Sequence, residues 1–136
     1  SKYFSKAKVN KNNENYTNEF RKEMSFKYSQ ISLELANQGF CVITSVVGMF
    51  EDIYLWNRKN LPGYFEVFLD IPLKILKERD NKGIYKKFEM GKIQNVAGLD
   101  LEIQKPAKPN LYIKKNNEVD ITIISNFVIE TMFKNQ

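Results

Sequence analysis

Apolar residues recur along this chain with two distinct periods. Phe20, Met24, Tyr28, Ile31 and Leu35 return every three or four residues, the spacing of one helix face. Thr17 precedes them as an N-cap type and Gly39 follows as a stop, so a helix is predicted between the two. FCVITSVV, Phe40 to Val47, is continuously apolar and β-branched, the pattern of a strand covered on both faces. A second helix is predicted from Glu51 to about Lys59, carrying Ile53, Leu55 and Trp56. YFEVFLD, Tyr64 to Asp70, reads as a second buried strand. Pro72 stands where a further helix begins, ahead of Leu73, Ile75 and Leu76. NLYIKK, residues 110–115, predicts a short strand that Asn116-Asn117 turns. Val119 to Phe133 predicts a closing amphipathic helix on Ile121, Ile124, Phe127 and Val128. Residues 5–18, rich in Lys and Asn without an apolar period, predict a loop.

The order is helix, strand, helix, strand, helix, long loop, strand, helix. Such alternation implies an α/β fold, a parallel sheet with helices on both faces. No internal repeat or linker divides the chain, so residues 1–136 form one domain. A doubly wound sheet rarely starts on a helix. Its first strand and the phosphate-binding loop after it are therefore expected upstream of Ser1, and the domain is read as incomplete.

Composition narrows the chemistry. The length of 136 residues suits one domain, and 43% hydrophobic content with ten Phe and seven Tyr allows a real core. A net charge of +5 fits nucleotides, nucleic acid, an anionic surface or no charged partner. The absence of histidine excludes His-based triads and His-containing zinc sites. Cys41, the one cysteine, cannot form an internal disulfide and reads as a buried thiol. No stretch approaches the 18 or so apolar residues of a membrane span, so no membrane is expected as a partner. The Lys/Asn-rich start lacks interleaved aromatics and reads as surface, which leaves nucleic acid out as well. The start is neither a signal peptide nor an initiator methionine, and a cytoplasmic location is the simplest expectation.

Loops beyond the carboxyl ends of strands carry function in open α/β sheets. Two such segments stand out: GMFED, Gly48 to Asp52, and RDNKGIYKKFEMGKIQNVAGLD, residues 79–100. The second holds Lys82, Lys86, Lys87 and Lys92, with Gly83, Gly91 and Gly98 as hinge positions. Lysines offset phosphate charge as point-charge donors, and a mobile lid excludes water during transfer. Composition alone favours a solvated loop over such a lid. Other features carry less. Glu51 and Asp52 suit a helix N-terminus whatever their function. Met49-Phe50 reads as a binding platform or a core contact, and Trp56 as core.

The order of these pieces resembles the adenylylsulfate kinases, P-loop kinases that phosphorylate the ribose 3′-hydroxyl of adenylyl sulfate. RDNKGIYKKFEMGKIQNVAGLD is similar to that family's lid, in which Arg-Asp, Lys-Gly-x-Tyr-Lys-Lys and a Thr-Gly-Ile-Asp-like ending follow one another. FEVFLDIPLKILKERD, GFCVITSVVGMF and NYTNEFRKEM resemble the strand and helix leading into the lid, the strand before the substrate loop, and the stretch ending in Arg-x-Glu-Asn. The resemblance places 79–100 as a lid. It implies a P-loop NTPase fold, ATP and Mg2+ as cofactors, a small-molecule nucleotide substrate and a homodimer. It also implies site residues. Arg21, Glu23 and Met24 match Arg-x-Glu-Asn. Val47, Gly48, Phe50 and Glu51 match the substrate loop, Phe50 beside the base. Lys82 matches the lid lysine, Asn95 and Val96 the pair closing over the base, and Arg79 the arginine near the ATP adenine.

Departures lie on the substrate side. Met24 stands for Asn, Gly48 for the serine that some members phosphorylate, Glu51 for Arg and Val96 for the adenine-covering Phe. No Gly-x-x-x-x-Gly-Lys-Ser/Thr and no Asp-Gly-Asp occurs in the sequence, so catalytic and metal-binding residues are expected upstream of Ser1. Loss of the aromatic wall and of a cation turns the expectation toward cytidine diphosphoramidate, an acceptor of capsule-pathway relatives, as substrate of an ATP-dependent phosphotransferase. Two alternatives are an adenylylsulfate kinase proper and a non-catalytic nucleotide-binding domain without a P-loop. The 136 residues alone are expected to be inactive.

Overall fold

The structure is a computed structural model that describes residues 16–114 and 120–133. Residues 5–15 of the predicted 5–18 loop, the Asn116-Asn117 turn and Val119 lie outside the described residues, and Asn18, at the end of that predicted loop, opens a helix instead. Helix α1 spans Asn18–Asn37. Thr17, in extended conformation, accepts the Phe20 N–H on Oγ1 at 3.3 Å, the N-cap its position predicts. Gly39, at φ +87°, donates to Ala36 at 2.9 Å, and Phe40 donates to Leu35 at 3.1 Å. This 5→2, 6→1 pair is a Schellman ending, which requires the left-handed conformation that glycine adopts freely.

The face that α1 buries differs from the predicted one. Ser25, Ser29 and Ser32 are its buried residues, while Tyr28 and Leu35 are exposed. Each serine hydroxyl donates to the carbonyl four residues earlier, at 2.8, 3.1 and 2.9 Å. That satisfies the hydroxyls within the helix and leaves a low ridge on which other chain segments sit closely. Ser32 Oγ also meets Thr44 Oγ1 at 3.1 Å.

Helix α2, Glu51–Asn60, packs on α1 through an edge-on Phe26–Trp56 ring pair at 5.1 Å, with Ile53 buried. Trp56 is thus a packing residue, as its position in the periodic pattern predicts. Strands β1, Val67–Asp70, and β2, Leu111–Lys114, pair in parallel, with Val67 opposite Leu111 and Asp70 opposite Lys114. Both lie within their predicted ranges. β1 begins later than Tyr64; Glu66, just before it, gives its carbonyl to the Leu111 N–H at 3.0 Å and its other groups to side chains. It is 6% exposed, bound to Arg58 at 2.7 Å and Tyr64 at 2.8 Å, and its N–H donates to Asn110 Oδ1 at 2.9 Å.

Two strand predictions need correction. Phe40–Val47 forms no strand among the described residues, and Ile43 in its middle is 93% exposed. An apolar, β-branched run states a preference, but a strand also needs a hydrogen-bonded neighbour, and the described sheet has only β1 and β2. Cys41 is exposed for the same reason. Nor is β1 buried on both faces: Phe68 is buried, whereas Val67 and Leu69 on either side of it are exposed. A two-stranded sheet cannot enclose both.

Residues 79–100 are not a structureless loop. Helix α3, Leu73–Glu78, begins after Pro72 and ends at their edge. Helix α4, Ile84–Glu89, lies within them. Asp80 caps α4 with both carboxylate oxygens, accepting the Ile84 N–H at 2.7 Å and the Lys86 N–H at 3.0 Å. Gly83 enters the helix at φ +64°, and Lys77 reaches from α3 to Glu89 at 2.6 Å. Helix α5, Ile121–Phe133, buries none of its residues among those described, so its predicted apolar face meets no core here. No helix of the described residues is long and apolar enough to cross a membrane.

Candidate functional site

The first turn of α1 and the end of the 79–100 segment meet at Arg21. Its Nη2 donates to the Asn95 carbonyl at 2.8 Å, its Nε donates to the Tyr16 carbonyl at 3.1 Å, and its guanidinium lies 5.5 Å from the Tyr16 ring centre. Burial lowers the Arg21 pKa, opposed by Tyr16 and Asp100, and the group remains cationic. Asn95 stands at φ +63°, a left-handed conformation asparagine tolerates. Asp100 holds that turn: its carboxylate accepts the Asn95 N–H at 2.7 Å and the Val96 N–H at 2.6 Å. Val96 is buried at 7% exposure. Planar guanidinium and carboxylate groups thus fix three backbone groups of two adjacent residues, Asn95 and Val96, from two sides.

The Gly48–Glu51 loop approaches the same turn of α1. A Cβ on Gly48 would lie 2.2 Å from Ser25 Oγ and 2.9 Å from Ser25 Cβ, so that position admits no side chain as it stands. Ser25 in turn donates to the Arg21 carbonyl. Phe50 is the N-cap of α2 and offers no side-chain cap. Gln104 supplies one, accepting the Glu51 N–H on Oε1 at 2.8 Å. The Gln104 N–H donates to Met49 at 3.0 Å, and its carbonyl accepts the Tyr54 hydroxyl at 3.1 Å. Burial and then the Glu66 charge push the Tyr54 pKa up to about 12, so its hydroxyl stays a donor. Beside it, Lys105 binds Asp70, the last residue of β1, at 2.9 Å, and Tyr112 donates to the same carboxylate. The hydroxyl and ammonium partners lower the Asp70 pKa.

The structure therefore brings Arg21 together with Asn95 and Val96, and sets Gly48 against the same helix. Met24 is half-buried on that turn, while Glu23 is exposed and pairs with Lys27 at 2.5 Å. Val47 and Glu51 are exposed, the Glu51 backbone alone being held by Gln104. Arg79 and Lys82 lie exposed on either side of Asp80. Ser25, Asp100 and Gln104 shape the site and were not among the expected residues. Asp100 alone had a signal, as the last residue of the lid-like ending.

The described part is an α/β domain with parallel strand pairing, and its sequence narrows that class. The adenylylsulphate kinase family profile matches residues 6–114. Among curated proteins, a cytidine diphosphoramidate kinase from Campylobacter jejuni is 37% identical over 91 residues, which are 67% of this chain and 54% of the relative. An adenylyl-sulfate kinase from Clostridium acetobutylicum is 31% identical over 83% of this chain and 57% of the relative. Another from Pseudomonas aeruginosa is 32% identical over 76% and 54%. The chain belongs to the adenylylsulphate kinase family, which implies a P-loop NTPase fold. It spans about half the length of the curated relatives it matches.

The family's cofactors find no fitting site among the described residues. No group of three or more His, Cys, Asp or Glu side chains converges there as a metal site, and the sequence carries no Gly-x-x-x-x-Gly-Lys-Ser/Thr to cradle a triphosphate.

Proposed function

We propose that this chain supplies the acceptor side of a nucleotide 3′-hydroxyl kinase, with 79–100 as its lid and cytidine diphosphoramidate as its acceptor. The observation that carries the reading is the Arg21 contact with Asn95, which ties the end of that cationic segment to the substrate-side helix. Residues here would bind and orient the acceptor and exclude water. The phosphoryl donor would be Mg-ATP, and no step is assigned to it from these residues.

The acceptor assignment is supported by two positions and one relative. Val96, buried and held by Asp100, offers a small apolar contact where an aromatic wall would grip adenine. A stacked aromatic contributes roughly 1–3 kcal/mol per base, a loss that weighs more on a purine than on a pyrimidine. Exposed Glu51 puts a carboxylate, an acceptor for N–H groups, where a cation would favour sulfate. The similarity to a cytidine diphosphoramidate kinase points the same way. The broader coverage of an adenylyl-sulfate kinase supports adenylyl sulfate as the second reading.

The test is the turnover efficiency of the full-length gene product with each acceptor at fixed Mg-ATP. Faster phosphorylation of the cytidine-linked phosphoramidate is expected, and a clear preference for adenylyl sulfate refutes the acceptor assignment. Absence of turnover with either favours a non-catalytic nucleotide-binding domain. The 136 residues expressed alone are expected to turn over neither.

A further inference from the structure

We infer that Gln104 is a positioning residue for the acceptor site, bracing the Gly48–Glu51 loop against the exit of the 79–100 segment. The inference rests on the acceptor-side reading above, because it concerns how that site holds its shape.

Three groups of this one residue are engaged with the loop and the helix that follows it. The main-chain N–H donates to Met49, the side-chain oxygen accepts from Glu51, and the main-chain carbonyl accepts from Tyr54. The side-chain bond is the informative one. Phe50, the N-cap of α2, has a side chain that cannot accept a hydrogen bond, so the exposed N–H of Glu51 is left to water or to another segment. Gln104 provides the acceptor across 53 residues of sequence. An acceptor this far along the chain links two segments, which a local cap does not.

Contacts on either side close a ring. Arg21 holds Asn95, and Asp100 holds the Asn95 and Val96 amides. Four residues beyond Asp100, Gln104 holds Met49 and Glu51. Gly48 packs on Ser25, and the Ser25 hydroxyl returns to the Arg21 carbonyl. The ring starts and ends on one turn of α1. The next residue, Lys105, pairs with Asp70 at the end of β1, so the chain on the far side of Gln104 also meets the sheet. Removing the Gln104 side chain opens the ring at the loop carrying Phe50 and Glu51, while the Arg21 contact stays intact.

The test compares Gln104→Ala and Gln104→Glu with the wild type in the full-length gene product. Glutamate keeps an oxygen for the Glu51 amide and suits a helix N-terminus, so it is the rescue variant. Gln104→Ala should raise the acceptor KM about threefold to tenfold, the loss of one hydrogen bond, with kcat and the ATP KM within about twofold of wild type. Gln104→Glu should restore the acceptor KM. Amide hydrogen exchange at Glu51 should accelerate in Gln104→Ala and recover in Gln104→Glu. An unchanged acceptor KM in Gln104→Ala, or equal rises in both KM values that glutamate fails to rescue, overturns the inference. If the wild type turns over no acceptor, the proposed function fails; the exchange at Glu51 still decides whether Gln104 braces the loop.

Discussion

Arg21 donates to the Asn95 carbonyl at 2.8 Å across 74 residues of sequence, and the same guanidinium is held by Tyr16 behind it. A charged donor to a backbone acceptor is worth roughly 1.5–3 kcal/mol. Arg21→Ala in the full-length gene product should therefore lower kcat/KM for the acceptor about tenfold to a hundredfold. Arg21→Lys should recover only part of this, because an ammonium lacks the planar fork that reaches two carbonyls. Full recovery by lysine, or no loss with alanine, would show that the contact does not shape the site.

Lys82 and Lys92 are both exposed, and the fold treats them alike. The lid reading ranks them. Lys82→Ala should cost about ten- to a hundredfold in turnover efficiency, from the loss of a charge-assisted contact to the acceptor. Lys92→Ala should change it little. Equal, small effects in steady-state kinetics would return 79–100 to a solvated surface segment.

Gly48 and Ser25 make a steric pair that stability measurements can isolate. Gly48→Ala places a methyl 2.2 Å from Ser25 Oγ, and overpacking of this kind costs about 1–3 kcal/mol. In a Ser25→Gly background both close atoms are gone, so the same change should cost distinctly less. A double-mutant cycle from denaturant midpoints reads the coupling, and additive effects would argue against the contact.

Much of the backbone was legible because its signals are local. Thr17 and Gly39 mark the ends of α1 through groups within four residues of the helix ends. Phe40–Val47 misled because strand formation depends on a neighbour elsewhere in the chain. The buried serine ridge of α1 misled in the opposite sense, since short hydroxyl side chains bonded to their own helix bury without breaking any polar rule. In the site, Arg21 and Asn95 were each singled out by resemblance, but nothing in the sequence announced that they touch. Gln104 had no signal at all, because its partners lie some fifty residues away and one glutamine in a loop looks like any other.

Tyr54 links the site to pH. Its folded-state pKa, pushed up to about 12, exceeds the ordinary value of 10.0, so the fold favours the protonated phenol. That contribution is fully present below about pH 10 and is lost as pH rises toward 12. Tyr64 shifts in the same direction and adds to the alkaline loss. Tyr54→Phe should therefore show a shallower fall in stability between about pH 10 and 12 than the wild type. Denaturation midpoints across that range measure it, and parallel curves would rule the assignment out.

The double cap that Asp80 places on α4, with Lys77 strapping Glu89 to α3, changes how the 79–100 segment would move. Ordering a free coil costs roughly 1–2 kcal/mol per residue in backbone entropy, which over the whole segment would consume any contact an acceptor could make. If 79–100 is the lid proposed above, a span that carries its own capped turn of helix would swing as a hinged plate, with α4 held to α3 through Asp80 and Lys77. Only the joints near Gly91 and Gly98 would then need to settle, so a handful of lysine contacts would be enough to hold the plate shut.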